Sequence, residues 1–281
     1  MSVCHANSSP PIVLTFAASD PTGGAGIQAD ILTLTACGCH PLSVVTALTV
    51  QDTLGVENIL LIHADWIADQ ARAVLEDMPV AAFKLGMLGS VEAVAVIAEI
   101  ISDYPDIPVV FDPILASGRG DQFADEQTIA VMMALLLPQT TIITPNSLEA
   151  RRLVLIDEHD TPDLPECARR LIVSGCEYAL LTGTHEHTPQ VVNTLYGSHG
   201  VLRADRWDRL PHQYHGSGCT LASAIAAALA NGLSVEEAVK EAQDYTWRAL
   251  SAGFRPGMGQ HIPDRFFWAR EEYPDEESDA H

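Results

Sequence analysis

Lysine is almost missing from this chain. Only Lys84 and Lys240 occur in 281 residues, and fifteen basic residues stand against 37 acidic ones, a net charge of −22. That balance argues against nucleic acid or an anionic membrane as a partner. The excess acid reads as a solvated surface, and its sharper reading is adaptation to high salt. No apolar run is long enough to span a bilayer. Residues 1–10 show no basic segment followed by an apolar one, so no secretory signal is expected. The six cysteines, at 4, 37, 39, 167, 176 and 219, fit neither a disulfide framework nor a zinc site. Cys37 and Cys39 read as buried thiols, and a reducing cytoplasm is the expected location. Walker A spacing and a complete G-x-G-x-x-G fingerprint are both lacking.

What is present is a set of strand–turn–helix junctions. The apolar run Ile12–Ala17 reads as a buried strand and leads into Asp20-Pro21-Thr22-Gly23-Gly24-Ala25-Gly26. A helix beginning near Ala25 completes a ligand-binding βα unit. Residues 142–150 read as a strand, a proline-set turn, and a helix with Asn146 and Glu149 one turn apart. Residues 215–224, His-Gly-Ser-Gly-Cys-Thr-Leu-Ala-Ser-Ala, form a Gly-Ser-Gly turn opening a helix of small residues. Early helical N–H groups lack internal partners and carry partial positive charge, which suits a phosphate or a developing anion. Gly216, Ser217 and Gly218 would supply such amides. A helix start also lowers a thiol's pKa, which makes Cys219 a candidate base or anion holder; the alternative is a small buried cysteine behind a cap.

Strand-like runs at 12–17, 43–50, 80–85, 108–112, 141–144 and 178–182 alternate with helical patterns at 25–37, 65–78, 90–102, 125–137, 147–155, 163–174, 219–231 and 234–252. This alternation predicts an α/β fold with a mainly parallel sheet covered on both faces. Residues 11–270 are expected to form one domain, with disordered tails at 1–10 and 271–281. The hydrophobic content of 47% is ample for its core.

Six segments occur in order: D-P-T-G-G-A-G-I-Q-A-D (20–30), T-A-L-T-V-Q-D-T (46–53), K-L-G-M-L (84–88), D-P-I-L (112–115), T-P-N-S-L-E-A (144–150) and G-S-G-C-T-L-A-S-A (216–224). Together they resemble the hydroxymethylpyrimidine/phosphomethylpyrimidine kinases of thiamin biosynthesis, within the ribokinase-like superfamily. The resemblance implies a three-layer α/β/α ribokinase-like fold. It implies ATP-dependent phosphorylation of hydroxymethylpyrimidine, its monophosphate, or both, with Mg2+. Ala18, Asp30, Gln51 and Met87 fall where the family holds the pyrimidine. Asp112, Asn146, Glu149 and Thr182 fall on the nucleotide side, Asp112 and Glu149 around the metal through water. Cys219 faces the reacting hydroxyl as base, with Gly216, Ser217 and Gly218 beside the transferring group. Arg119, in the loop 116–120, either covers phosphates or is a loop charge. A homodimer fits the family, and no fused thiamin-phosphate synthase is expected.

The chain departs from the family pattern at four places. Ala18 replaces a usual glycine beside the pyrimidine, Thr182 and Thr184 stand in the Lys-Gly-Gly-His segment, and Asn193 replaces a common aspartate. Two alternatives to the thiamin pyrimidine kinase are a pyridoxal/pyridoxine kinase and a non-catalytic ligand-binding paralogue. Retention of Asp112, Asn146, Glu149 and Cys219 speaks against the paralogue.

Overall fold

Alternating side chains on two central strands divide the molecule into layers. In the computed structural model, which describes residues 9–116, 122–156 and 159–270, β1 spans Ile12–Ser19 and β4 spans Val80–Leu85. Leu14, Phe16, Phe83 and Leu85 face one core cluster, while Val13 and Ala82 face the other. The two-residue period of a strand sends successive side chains to opposite faces. A strand covered on both faces therefore reads as a continuous apolar run.

The remaining strands are β2 (His40–Gln51), β3 (Val56–Leu61), β5 (Val109–Phe111), β6 (Ile142–Ile143), β7 (Tyr178–Leu181), β8 (Gln190–Gly197) and β9 (Gly200–Asp208). They form one nine-stranded sheet in the order β3-β2-β1-β4-β5-β6-β7-β8-β9. The six strands from β2 to β7 in that order pair in parallel. β3, β8 and β9 pair antiparallel at the two edges. These three strands have no counterpart among the sequence-predicted runs. β9 is Gly-Val-Leu-Arg-Ala-Asp-Arg-Trp-Asp and none of its residues is buried, so no apolar run marks it.

One face of the sheet carries α2 (Ala64–Leu75), α3 (Val91–Ser102), α4 (Glu126–Val131), α5 (Ser147–Leu153) and α6 (Leu164–Val173). The other carries α1 (Gly26–Ala36), α7 (Ser217–Ala230) and α8 (Val235–Ser251). The helix expected over 125–137 continues past α4 as a π turn, Met132–Leu136, and a 3-10 turn, Leu137–Gln139. Pro138 has no N–H to continue an α-helix. α7 is buried almost all round, and its alanines let it lie close to the sheet and to α1 and α8.

The strand order reverses at β1, whose neighbours are β2 and β4. In open α/β sheets the crevice at such a reversal, beyond the strand carboxyl ends, takes the ligand. No described helix is long and apolar enough to cross a membrane. The described cysteines are free thiols. The predicted tails, apart from residues 9 and 10, lie outside the described residues, as does Arg119.

Candidate active site

Two glycine turns from opposite ends of the chain meet above the β1–β4 crevice. Gly216 caps α7 with φ +80° and no side-chain cap bond. A Cβ there would lie 1.9 Å from the Gly24 carbonyl oxygen, and one on Gly26 would lie 2.3 Å from the Ala18 carbonyl oxygen. Only glycine permits both the left-handed backbone and this approach. The result is an α7 N-terminus, Ser217-Gly218-Cys219, brought against the turn after β1.

Asp20 organises that turn. Its carboxylate accepts from the amides of Thr22 and Ala25, each at 2.8 Å, and from the Thr22 hydroxyl. His215 Nε2 stands 2.9 Å from Asp20 Oδ2 and 3.1 Å from the Gln51 side-chain amide. A proton on Nε2 would satisfy Asp20, and the Gln51 amide nitrogen lies beside the same ring nitrogen. Burial works to raise the Asp20 pKa, but the bonds from His215, Thr22 and Ala25 outweigh it and hold the carboxyl below its usual range. Ala18, Ala47 and Met87 form a small apolar cluster beside this network, backed by Ile59, Ile114 and Phe123. The Thr46 hydroxyl fixes the Met87 carbonyl at 2.6 Å. Ala18 and Met87 thus share one apolar cluster, while Gln51 joins the turn after β1 through His215. A shallow cleft of about 440 Å³ opens beside it, between Thr22, Gln51, Thr53 and Met258.

Asp112 follows β5, is 4% exposed, and its Oδ2 has no hydrogen-bond partner. The carboxylate sits 3.6–3.8 Å from where a Cβ on Gly218 would lie. Burial pushes Asp112 up to about 6, with Lys84 pulling against it and Asp30 adding to it. Glu149 is raised to about 8, by burial first and then by Asp112, although the Asn146 and Leu115 amides donate to it. Two neighbouring carboxyls that resist ionisation, one with an orphaned oxygen, suit a divalent cation that also contacts phosphate oxygens. No cluster of three or more ligating side chains occurs among the described residues, so phosphate and water would complete the shell.

Asn146 and Glu149 also form the capping box of α5. The Asn146 side chain accepts from the Leu148 and Glu149 amides, and Glu149 Oε2 accepts from the Asn146 amide at 2.9 Å. Thr182 pairs with Asn146 in a parallel bridge, its amide donating to Pro145 and its carbonyl accepting from Ser147. It is therefore placed at the start of α5. Asn193 is buried and receives the Gly183 amide while donating to Gln243. Arg209 ties down the following turn through the carbonyls of Thr184, Glu186 and Thr188.

Asp30, expected with Ala18, Gln51 and Met87, bonds none of them. It is fully buried beneath α7, with Oδ2 accepting from Thr15 Oγ1 at 2.6 Å and Lys84 Nζ at 2.9 Å, and Oδ1 from Ser223 Oγ at 2.8 Å. These bonds tie β1, β4, α1 and α7 together and engage both carboxylate oxygens. Lys84 is fully buried too; burial lowers its pKa, but Asp30, Cys219 and Asp112 raise it more, so the ammonium stays charged.

The expected lowering of the Cys219 pKa does not occur either. Burial pushes the thiol up to about 12; Lys84 and the Gly26 amide pull it down, while Asp112 and Asp30 push it up. Desolvation of the charged form exceeds the benefit of the helix start.

Sequence reasoning missed His215, Lys84, Ser223 and Arg265. Arg265 donates to Gly23 and Gly24 carbonyls and to the Thr220 hydroxyl, clasping the two glycine turns together. His215, Lys84 and Ser223 lie within the motif segments and could have been suspected. Nothing local marked Arg265.

Comparison with known proteins agrees with this geometry. Residues 20–264 match the family described as phosphomethylpyrimidine kinase. The hydroxymethylpyrimidine/phosphomethylpyrimidine kinase of Streptomyces coelicolor is 41% identical over 89% of this chain and 92% of its own. The phosphomethylpyrimidine kinase of Clostridium difficile superposes with a TM-score of 0.74, at 33% identity, covering 85% of this chain and 99% of that one. The pyridoxal kinase of Staphylococcus aureus, solved with pyridoxal, gives a TM-score of 0.85 at 26% identity, covering 94% and 97%. These neighbours share the mostly parallel α/β fold implied by the ribokinase-like resemblance.

Proposed function

The chain belongs to the phosphomethylpyrimidine kinase family, and from that premise we propose that it transfers the terminal phosphoryl group of ATP to the hydroxymethyl oxygen of hydroxymethylpyrimidine and to the phosphate of its monophosphate, for thiamin biosynthesis. The observation that carries the reading is the setting of Asp112. It is a buried carboxyl with an unpartnered oxygen, held against the amide-rich start of α7. An acid facing a polyanion makes sense through a cation between them. Asp112 and Glu149 would hold Mg2+, which would neutralise charge on the phosphates.

The residues divide the remaining work. Ala18 and Met87 offer a flat apolar contact for the pyrimidine ring, and Gln51 offers an oriented amide to its edge. The amides of Ser217 and Gly218 face the transferring group, whose charge sits on its outer oxygens. Asn146 and Thr182 place the start of α5 on the nucleotide side. In transfer, the bond between the terminal phosphorus and the ADP oxygen breaks as a bond to the acceptor oxygen forms. In a loose transition state the acceptor proton leaves late. A thiol near 12 is no early base, so we assign Cys219 to steadying the acceptor oxygen, and the proton to an oxygen of the transferred group.

The test is coupled ADP release with hydroxymethylpyrimidine, its monophosphate and pyridoxal. Turnover of the pyrimidines supports the reading. Turnover of pyridoxal alone would move the assignment to the vitamin B6 alcohol, a reading favoured by the likeness to the Staphylococcus aureus enzyme.

We place the homodimer contact on the exposed apolar flank of β2 and β3, where Leu48, Val50 and Leu60 share one face. Sedimentation of Leu60→Glu against the unaltered chain tests it. The free thiols among the described residues suit a cytoplasmic location.

A further inference from the structure

Arg265 enters the site from the far end of the chain. It follows the bridge between Phe254 and Ile262, its carbonyl accepts from Tyr245 Oη at 2.9 Å, and its side chain turns inward. The residue is 3% exposed. The guanidinium donates to three neutral oxygens: Nη2 to Gly24 O at 2.6 Å, Nη1 to Gly23 O at 3.3 Å, and Nε to Thr220 Oγ1 at 3.1 Å. Among the described residues no carboxylate forms an ion pair with it. Burial pulls its pKa down, countered through space by Cys219, Tyr245, Asp30 and Asp20.

A buried charge without a contacting counter-ion is costly. In a chain so poor in cations, this one calls for a reason, and its acceptors supply it. Gly23 and Gly24 form the turn beside the acceptor end of the crevice. Thr220 lies in the first turn of α7, and its hydroxyl donates onward to the Gly216 carbonyl at 2.8 Å, where its amide also donates at 2.9 Å. That carbonyl belongs to the same peptide as the Ser217 N–H. Linked hydrogen bonds polarise one another, so a pull on the Gly216 oxygen strengthens Ser217 N–H as a donor.

We propose that Arg265 serves phosphoryl transfer from behind the anion hole, as a positioning residue. Its fixed positive charge locks the Gly23–Gly24 turn to α7 and polarises the Gly216–Ser217 peptide toward the transferring group. The inference rests on the kinase reading of the same site.

The test compares Arg265→Lys and Arg265→Gln with the unaltered chain, using ATP and hydroxymethylpyrimidine phosphate. Rates are taken per folded molecule, from the thermal melt of each protein. Lysine keeps the charge but loses the fork; glutamine keeps two N–H donors and loses the charge. In Arg265→Gln, kcat should fall about tenfold or more, with KM for the pyrimidine within about threefold. That is less than the about 10²–10³-fold of a donor touching the developing charge. Arg265→Lys should keep kcat within about threefold although both variants melt lower. A folded Arg265→Gln within about twofold of the unaltered kcat overturns the proposal, because only a structural clamp is then left. Should Arg265→Gln fail to fold, Arg265→Lys decides: retained kcat supports the proposal, and a loss above about tenfold in folded protein overturns it. An unaltered chain that turns over none of the candidate alcohols overturns the kinase reading itself, and this inference with it.

Discussion

Gly216 and Gly24 touch backbone to backbone: a Cβ on Gly216 would stand 1.9 Å from the Gly24 carbonyl oxygen. The turn after β1 and the start of α7 are therefore packed directly on each other through two residues without side chains.

Gly216→Ala should break that packing. The residue holds φ +80°, where a Cβ costs about 1 kcal/mol or more before any clash. Activity should be lost and the melting temperature should fall. Gly218→Ala is the contrast, since its Cβ would meet the Asp112 carboxylate at an ordinary 3.6 Å. It should fold normally yet lose turnover, because the methyl fills the space in front of Asp112. Melting curves beside steady-state rates for both variants check this; equal melting temperatures for the two would refute the distinction.

Lys84→Met should be strongly destabilising. It leaves Asp30 buried with its cation removed, and breaking a buried pair in this way costs about 3–5 kcal/mol. Lys84→Met combined with Asp30→Leu should recover part of the loss. Urea unfolding of the single and double variants measures the difference, and a double variant weaker than the sum of both singles would contradict it.

The unliganded protein should lose stability as pH rises. Asp112 is raised from 3.8 to about 6 and Glu149 from 4.5 to about 8. A carboxyl whose folded pKa exceeds its unfolded one favours folding while protonated. That contribution is full below the unfolded value and is lost as pH passes through the folded one. The melting temperature should thus fall between pH 5 and 8. Glu149→Gln, which keeps the capping box, should flatten the upper part of that fall. It should also raise the magnesium requirement of turnover. A parallel pH profile in the variant would count against Glu149 as the titrating group.

Cys219→Ala should lower kcat by about tenfold, short of the about 10²–10⁴-fold typical of a general base. The reason is the thiol pushed up to about 12, which leaves little thiolate at neutral pH. A loss beyond about 10³-fold would show that the thiolate forms in the ternary complex.

Salt should stabilise the chain. Of its two lysines, Lys84 is buried, so Lys240 and arginines are the cations left to offset the surface acids of a chain whose net charge is −22. The Debye length falls from about 30 Å at 0.01 M to about 3 Å at 1 M, which screens that self-repulsion. Melting temperatures flat or falling with sodium chloride would remove the idea of adaptation to high salt.

Local pattern alone determined much of this protein. Apolar runs placed the six parallel strands of the described residues, helical spacing placed their eight α-helices, and the six ordered motifs pointed to the family. These features depend on neighbours in sequence, which a linear reading can count. The antiparallel strands β3, β8 and β9 escaped because half-exposed strands need no continuous apolar run. Tertiary structure alone decided the charges. Asp30 meets Lys84 across 54 residues, Asp20 meets His215 across 195, and Arg265 meets Gly24 across 241. Nothing in the local sequence distinguishes an aspartate that reaches into the crevice from one locked beneath a helix. Burial likewise reversed the expected state of Cys219, because the helix start is a local feature and the exclusion of water around it is made by the whole fold.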